Sequence, residues 1–257
     1  MTLSPEDLAR LRRLALFAPA DQATFDRLAD AADLRTMASG LTIAAEGQAD
    51  DVLYVLLDGM LELSGVWNAR DTTLALLRPV STFALASVIL RTPVLTTART
   101  VARSRVLTLP GDAWREAMRH DAGLAHAAME ELAGCYNSVV RVLKNCKLRG
   151  AQERLANYLL SLHQRADGAT TFVLPCPKRV LASLLDMTPE NLSRAFASLA
   201  AYGVEVDGPR ISIAQPAILA GLAKPDILIE GHPAPAGAWG QAERERRRGD
   251  PAPRNST

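Results

Sequence analysis

Histidine is scarce in this 257-residue sequence: there are four, and none precedes His120. A metal-dependent barrel enzyme needs imidazole ligands on its strands, so the first half of the chain lacks the donors for one. Cysteine is scarcer still. Cys135, Cys146 and Cys176 form an odd, scattered set without a Cys-x-x-Cys pair, which argues against a disulfide framework and for the cytoplasm. No cysteine lies near the N-terminus, so a four-thiolate iron–sulfur cluster there is excluded. No apolar run approaches the ~18–20 residues of a membrane span. The N-terminal MTLSPEDLARLRRL mixes acids with bases, unlike a signal peptide. Charge of one sign is lacking too: 29 basic against 28 acidic residues leave +1, so the whole chain carries no nucleic-acid signature. Glycine-rich phosphate loops and nucleophile–base spacings are also missing, and the chain reads as a non-enzyme.

What is present divides the chain by period. The first ~35 residues read as two short amphipathic helices, one carrying Leu11, Leu14 and Leu16, the other Phe25, Leu28 and Ala32. From Leu41 to about Pro110 come short aliphatic runs, LTIAAE, VLYVLL, MLELSGVW, TLALLRP, TARTV and RVLTLP. Their spacing suggests a small antiparallel roll or jelly roll, with Asp58-Gly59 read as a hairpin between the second and third runs. After Pro110 the period becomes helical. Met129, Leu132, Tyr136, Val139, Leu143 and Cys146 alternate spacings of three and four, the a/d seam of two helices packed along their length. QERLANYLLSL follows as another amphipathic helix, then the strand TFVLP, the helix KRVLASLL and a second helix after Met187. VEVDGPRISI is a hairpin turning at Asp207-Gly208. The resulting α+β organisation places a roll with N-terminal helices at 1–118, a dimerisation helix at 119–148 and a winged helix-turn-helix at 149–225. Residues 226–257, rich in Pro, Gly, Ala and charge, read as a disordered tail.

The second helix of the winged unit is TPENLSRAFASL. Thr188 is a favoured N-cap and Pro189 suits the first helical position. Leu192, Ala195, Phe196 and Leu199 form an apolar stripe, leaving Glu190, Ser193, Arg194 and Ala197 on the other side. That polar face has the chemistry of base reading. Arg donates two hydrogen bonds to guanine, Glu accepts from cytosine, and Ser serves either base or phosphate. For the phosphate backbone the candidates are Thr188, Lys178 and Arg179 at the turn, with Lys144, Lys147 and Arg149 from a basic stretch that runs from Arg141 to Arg154 against one acid, Glu153. A second reading has this C-terminal domain docking protein instead of DNA.

The order of roll, long helix and winged helix-turn-helix resembles the superfamily of the cyclic-AMP receptor protein and the fumarate–nitrate reductase regulator (CRP/FNR). EGQADDVLYVLLDGMLEL, LKNCKLRGAQERLANYLLSL and TPENLSRAFASLAAYGVEV carry the resemblance, over roughly residues 10–223. It implies a homodimer on double-stranded DNA, with RNA polymerase as a further partner of an activator. In the fumarate–nitrate type, Glu-x-x-Ser-Arg reads each arm of a TTGA…TCAA palindrome. Glu190, Ser193 and Arg194 match that pattern residue for residue.

The resemblance also sets expectations for the sensor. A cyclic-AMP site in this superfamily uses Gly-Glu for the ribose and Arg-Ser or Arg-Thr for the phosphate. Here STFALASVILRTPVLTTART has no Gly-Glu after Phe83, and Leu95 precedes Thr96 where the Arg is expected. An anion buried without a cation is costly, so cyclic AMP is not expected; Arg91 and Arg99 are the cations that could substitute. PENLSRAF and VLTTARTVARSRVLTLP are similar to the nitric-oxide-responsive regulators of denitrification, some of which bind haem. His120, His126 and Cys135 are then the candidate axial ligands for haem b.

Overall fold

The computed structural model describes residues 3–231. Two helices open the chain, α1 (Pro5–Arg13) and α2 (Gln22–Ala31). Each starts on an acceptor side chain: Ser4 receives the Asp7 N–H, and Asp21 receives the Thr24 N–H. They pack on a roll built from β1 (Asp33–Met37), β2 (Thr42–Ala44), β3 (Val52–Asp58), β4 (Leu61–Trp67), β5 (Arg70–Leu77), β6 (Ser81–Phe83), β7 (Thr97–Thr100) and β8 (Ser104–Pro110). The short helix α3 (Leu85–Leu90) lies between β6 and β7. The strands form two antiparallel sheets in the orders β1-β8-β3-β6 and β2-β7-β4-β5.

Strand β3 shows why two cores form. Its side chains alternate in direction with period two. Leu53, Val55 and Leu57 join Phe17, Leu28, Trp114 and Leu124 in a core shared with the helices. Tyr54 and Leu56 join Leu61, Leu77, Phe83 and Val106 in a second core drawn from both sheets. The rings of Tyr54 and Phe83 stack there at 4.6 Å.

The expected hairpin at Asp58-Gly59 is not one. Strands β3 and β4 lie in different sheets, so this turn is a corner that carries the chain from one sheet to the other. Gly59 has a φ of +95°, and a Cβ there would stand 2.3 Å from Ser104 Oγ. The hairpin of that sheet is β4–β5, turning through Asn68 and Ala69, both left-handed at φ 49° and 58°. Two left-handed residues match the twist of a two-residue hairpin; the absence of glycine hid it in the sequence.

Helix α4 (Gly111–His120) follows β8, so residues 119 and 120 complete it instead of opening the long helix. Next come α5 (Ala122–Leu148), α6 (Ala151–Arg165), β9 (Thr171–Val173), α7 (Lys178–Leu184), α8 (Pro189–Leu199), β10 (Val204–Asp207), β11 (Arg210–Ile213), α9 (Pro216–Ala223) and α10 (Ile227–Glu230). Helices α6 to α9 enclose a separate core containing Leu155, Leu181, Leu192, Phe196, Leu199 and Ile211. The sheet β10-β11-β9 forms the wing, and the Asp207–Arg210 pair closes its hairpin as expected.

The expected disorder from residue 226 onward is corrected for the residues the structure describes. Asp226 caps α10 by receiving the Leu228 N–H, and α10 docks on α5. There Lys144 Nζ donates to the Leu228 carbonyl at 3.3 Å, and Arg149 pairs with Glu230 while also donating to the Lys224 carbonyl at 3.1 Å. The remainder of that tail, 232–257, lies outside the described residues.

One ion-pair cluster ties α1 to the roll. Arg105 bridges Asp7 at 2.7 Å and Asp58 at 3.2 Å, while Arg10 holds Asp58 from the other side at 3.1 Å. Asp7 is buried, and the Arg105 guanidinium holds its carboxyl below the usual 3.8. The folded state therefore binds fewer protons in acid than the unfolded one, and stability rises with pH through that range. The contribution is fully present above the unfolded value and is lost as pH falls through the depressed folded value. Urea titrations should show a stability plateau from neutral pH to about pH 5 and a decline below about pH 4. Asp7→Asn should lower neutral-pH stability by about 1–3 kcal/mol and flatten the acid decline. An unchanged acid decline in that variant would place the responsible carboxylates elsewhere.

Candidate nucleic-acid interface and sensor roll

Helix α8 starts where its N-cap places it: Thr188 Oγ1 receives the Asn191 N–H at 3.2 Å, with Pro189 next in the first turn. Leu192, Ala195, Phe196 and Leu199 are buried, and Glu190, Ser193, Arg194 and Ala197 are exposed on the opposite side. Ser193 Oγ donates to the Pro189 carbonyl at 3.0 Å, and Arg194 Nη2 donates to Asn191 Oδ1 at 2.5 Å. Glu190's own backbone N–H, then the Thr188 hydroxyl and the Arg194 charge, hold its carboxyl below the ordinary range. The exposed face thus carries an ionised acceptor and an oriented guanidinium one helical turn apart.

Helix α7 precedes it across Leu185, Asp186 and Met187, with Asp186 left-handed at φ 53°. Lys178 and Arg179 are exposed at the start of α7, and Lys178 Nζ lies 5.5 Å from the Phe196 ring centre. On the wing, Arg210 is an exposed cation at the hairpin tip. Its position just past Asp207-Gly208 was the signal available in the sequence. The sensor touches this unit through β5: the Thr73 N–H donates to Ser183 Oγ on α7 at 2.6 Å.

The basic stretch before α6 is divided in its roles. Lys147 is exposed. Arg149, expected on the phosphate backbone, is instead closed off: its side chain is 7% exposed and forms a two-armed pair with Glu230. Lys144 is engaged with α10.

Along α5, Met129, Tyr136, Val139 and Leu143 are exposed, with Cys146 half-buried at the end of the stripe. Leu132 is half-buried and packs partly against the roll's helix-side core. Burial raises the Cys146 thiol and pushes Cys176 up to about 11, so neither is a primed thiolate.

In the roll, Phe83 is followed by Ala84, left-handed at φ 66°, and by Leu85, which is buried on the helix side. Leu95 is 80% exposed. Arg91 pairs with Asp112 on α4 at 3.5 Å, and Arg99 Nε donates to the Gly40 carbonyl at 3.0 Å. Both guanidiniums are therefore engaged outside the inter-sheet core, whose walls are Ala44, Tyr54, Leu56, Phe83, Val94 and Ala98 among others.

Two of the three candidate haem ligands, His120 and His126, do not fit that group. His120 is exposed with Nε2 at 2.8 Å from Glu116, and His126 is exposed with Nδ1 at 3.8 Å from Glu130. A haem ligand packs in an apolar slot that covers the porphyrin, and neither exposed imidazole has one. Cys135 is half-buried and about 13 Å along α5 from His126. The assignment of His120 and His126 as axial ligands is withdrawn on this geometry.

Comparison with known proteins supplies the class. The family of Crp-like helix-turn-helix domains matches residues 153–222, and that of cyclic nucleotide-binding domains matches residues 34–121. The chain is 23% identical over 180 residues to a CRP-like cAMP-activated global transcriptional regulator of Mycobacterium tuberculosis (strain CDC 1551 / Oshkosh), covering 68% of this chain and 80% of the relative. FixK2 from Bradyrhizobium japonicum shares the fold with a TM-score of 0.66 at 21% identity, over 74% of this chain and 96% of that one. A candidate cAMP-binding regulatory protein from Silicibacter pomeroyi DSS-3 gives a TM-score of 0.58 at 25% identity, over 85% of this chain and 98% of that one. A helix-turn-helix of this kind binds DNA, which sets aside the protein-docking reading of the C-terminal domain. No helix among the described residues is long and apolar enough to cross a membrane. The two family matches, in this order on one chain, make the protein a member of the CRP/FNR superfamily of DNA-binding transcription regulators, which are not enzymes.

Proposed function

We propose that the protein acts as a homodimer that reads a TTGA…TCAA-like palindrome, while its roll responds to a small signal other than cyclic AMP. The observation that carries the reading is the exposed face of α8. Glu190, Ser193 and Arg194 stand together there, with the acid ionised and the guanidinium pinned by Asn191. Arg194 suits a guanine, Glu190 a cytosine amine, and Ser193 a base edge or phosphate. Thr188, Lys178, Arg179, Lys147 and Arg210 supply the backbone contacts. The apolar stripe of α5 supports a two-fold partner, so the two reading helices would meet half-sites ~34–36 Å apart. Such a regulator works where the DNA is, in the cytoplasm, and as an activator it would contact RNA polymerase.

The M. tuberculosis relative is cAMP-activated. In this chain Ala84 and Leu85 follow Phe83 where the resemblance expects Gly-Glu, Leu95 stands where it expects the phosphate-binding Arg, and Arg91 and Arg99 are engaged elsewhere. Desolvating a phosphate with no cation to receive it opposes binding.

Arg194→Ala should cost about 1–3 kcal/mol on the cognate duplex and relax preference at one base pair of each arm. Lys178→Ala and Arg179→Ala should weaken all duplexes alike, each lowering the salt slope by roughly one. Equal losses on cognate and scrambled DNA in the Arg194 variant would show that α8 does not read bases.

Val139 and Leu143 are both exposed in the single chain, so carboxylates there leave the chain's own cores intact. The Val139→Asp, Leu143→Asp double variant should run as a monomer on a sizing column and lose palindrome binding. Persistence of the dimer would remove the seam from the reading. For the sensor, millimolar cyclic AMP should leave the melting temperature unchanged, since only preferential binding to the folded state can raise it. A clear upward shift would overturn the exclusion.

A further inference from the structure

Arg154 belongs to the basic stretch that precedes the reader, yet its guanidinium faces inward. Nε donates to the Leu185 carbonyl at 2.9 Å, Nη2 to the Asp186 carbonyl at 3.0 Å, and Nη1 to the Arg149 and Cys146 carbonyls at 2.8 and 3.3 Å. Two of these acceptors end α5 and two follow the end of α7. Terminal helix carbonyls lack partners within the helix and carry the negative end of its dipole. A single planar cation therefore joins two helix C-termini, a geometry that the fork of arginine meets and the point charge of lysine does not.

The connection has direct consequences for reading. Cys146 is the last residue of the α5 stripe, and Asp186 lies two residues before Thr188, the cap from which α8 begins. Between α5 and α6 only Arg149 and Gly150 intervene, both in extended conformation. Two extended residues give the joint little stiffness of their own, so side chains brace it: Arg149 holds the α9–α10 side through the Lys224 carbonyl and Glu230, and Arg154 holds the α7–α8 turn. We propose that Arg154 is a positioning residue: by fixing the α7–α8 turn on the end of α5, it sets the angle of the recognition helix and hence the half-site spacing that the dimer accepts. This rests on the dimeric, palindrome-reading function proposed above.

The test is selection of bound duplexes from a random-sequence library by the full-length wild type, Arg154→Ala and Arg154→Lys, alongside sizing and melting measurements. The wild type should select paired half-sites at one dominant spacing. Arg154→Ala should remain a dimer and select the same half-site motif over three or more spacings. Its affinity for the best palindrome should fall at least ten-fold, with single half-site affinity within two-fold of wild type. Arg154→Lys should lie between, and it decides the matter by the same criteria if the alanine variant does not fold. A variant that keeps the single spacing, or that loses palindrome and half-site affinity by the same factor, would overturn the positioning role and leave Arg154 a structural or phosphate-contacting residue. A wild type that selects no paired half-sites would overturn the dimeric reading itself, and that result is visible before any variant is compared.

Discussion

Helix α5 is 27 residues long, about 40 Å, and among the described residues only its first half enters a buried apolar core. Leu124, Ala127 and Ala128 are fully buried against the roll's helices, and Leu132 is partly so. Beyond them Tyr136, Val139 and Leu143 stand in solvent, with Met129 at the start of the same stripe. Exposed apolar patches are a common form of interaction site. The helix thus has one end built into the roll, while the other carries the exposed stripe and the docked α10. The winged unit follows that second end directly, so whatever fixes α5 also fixes where the reader stands. The β5–Ser183 contact gives the roll a second hold, on α7.

The core between the sheets of the roll is apolar. Ala84 holds a left-handed conformation that glycine adopts more easily, and the residue after it is a leucine turned into the helix-side core. The stacked Tyr54 and Phe83 rings fill space between the sheets, and burial with a nearby Asp50 pushes the Tyr54 hydroxyl up to about 12, so it stays neutral. An interior of this kind favours apolar contact over anion binding.

Basic residues close together in sequence do three different things here. Lys147 remains in solvent, Arg149 is clasped by Glu230 and the Lys224 carbonyl, and Arg154 joins the ends of two helices. A run of positive charge is therefore a poor guide to a phosphate-facing surface, because a guanidinium is drawn equally to a carboxylate or to helix-terminal carbonyls.

The sequence alone determined what depends on near neighbours. The change of period at Pro110, the Thr188-Pro189 helix start, the two faces of α8, the Asp207-Gly208 hairpin and the stripe along α5 were all legible, because caps, turns and helical spacing act over a few residues. The short strands β1 and β6 escaped notice, being too brief to show a period. Tertiary structure decided the rest. Asp58-Gly59 marked a turn correctly, but whether β3 pairs with β4 depends on β8 and β6 claiming both edges of β3 instead. Asp226 could be seen as a polar residue, yet α10 needs Lys144 and Arg149, some eighty positions away, to hold it. His120 and His126 were candidate ligands by residue type alone, and their surroundings are solvent instead of an apolar slot. Pairing, burial and charge partnership are contacts between residues far apart in the chain, and no local propensity encodes which distant group arrives.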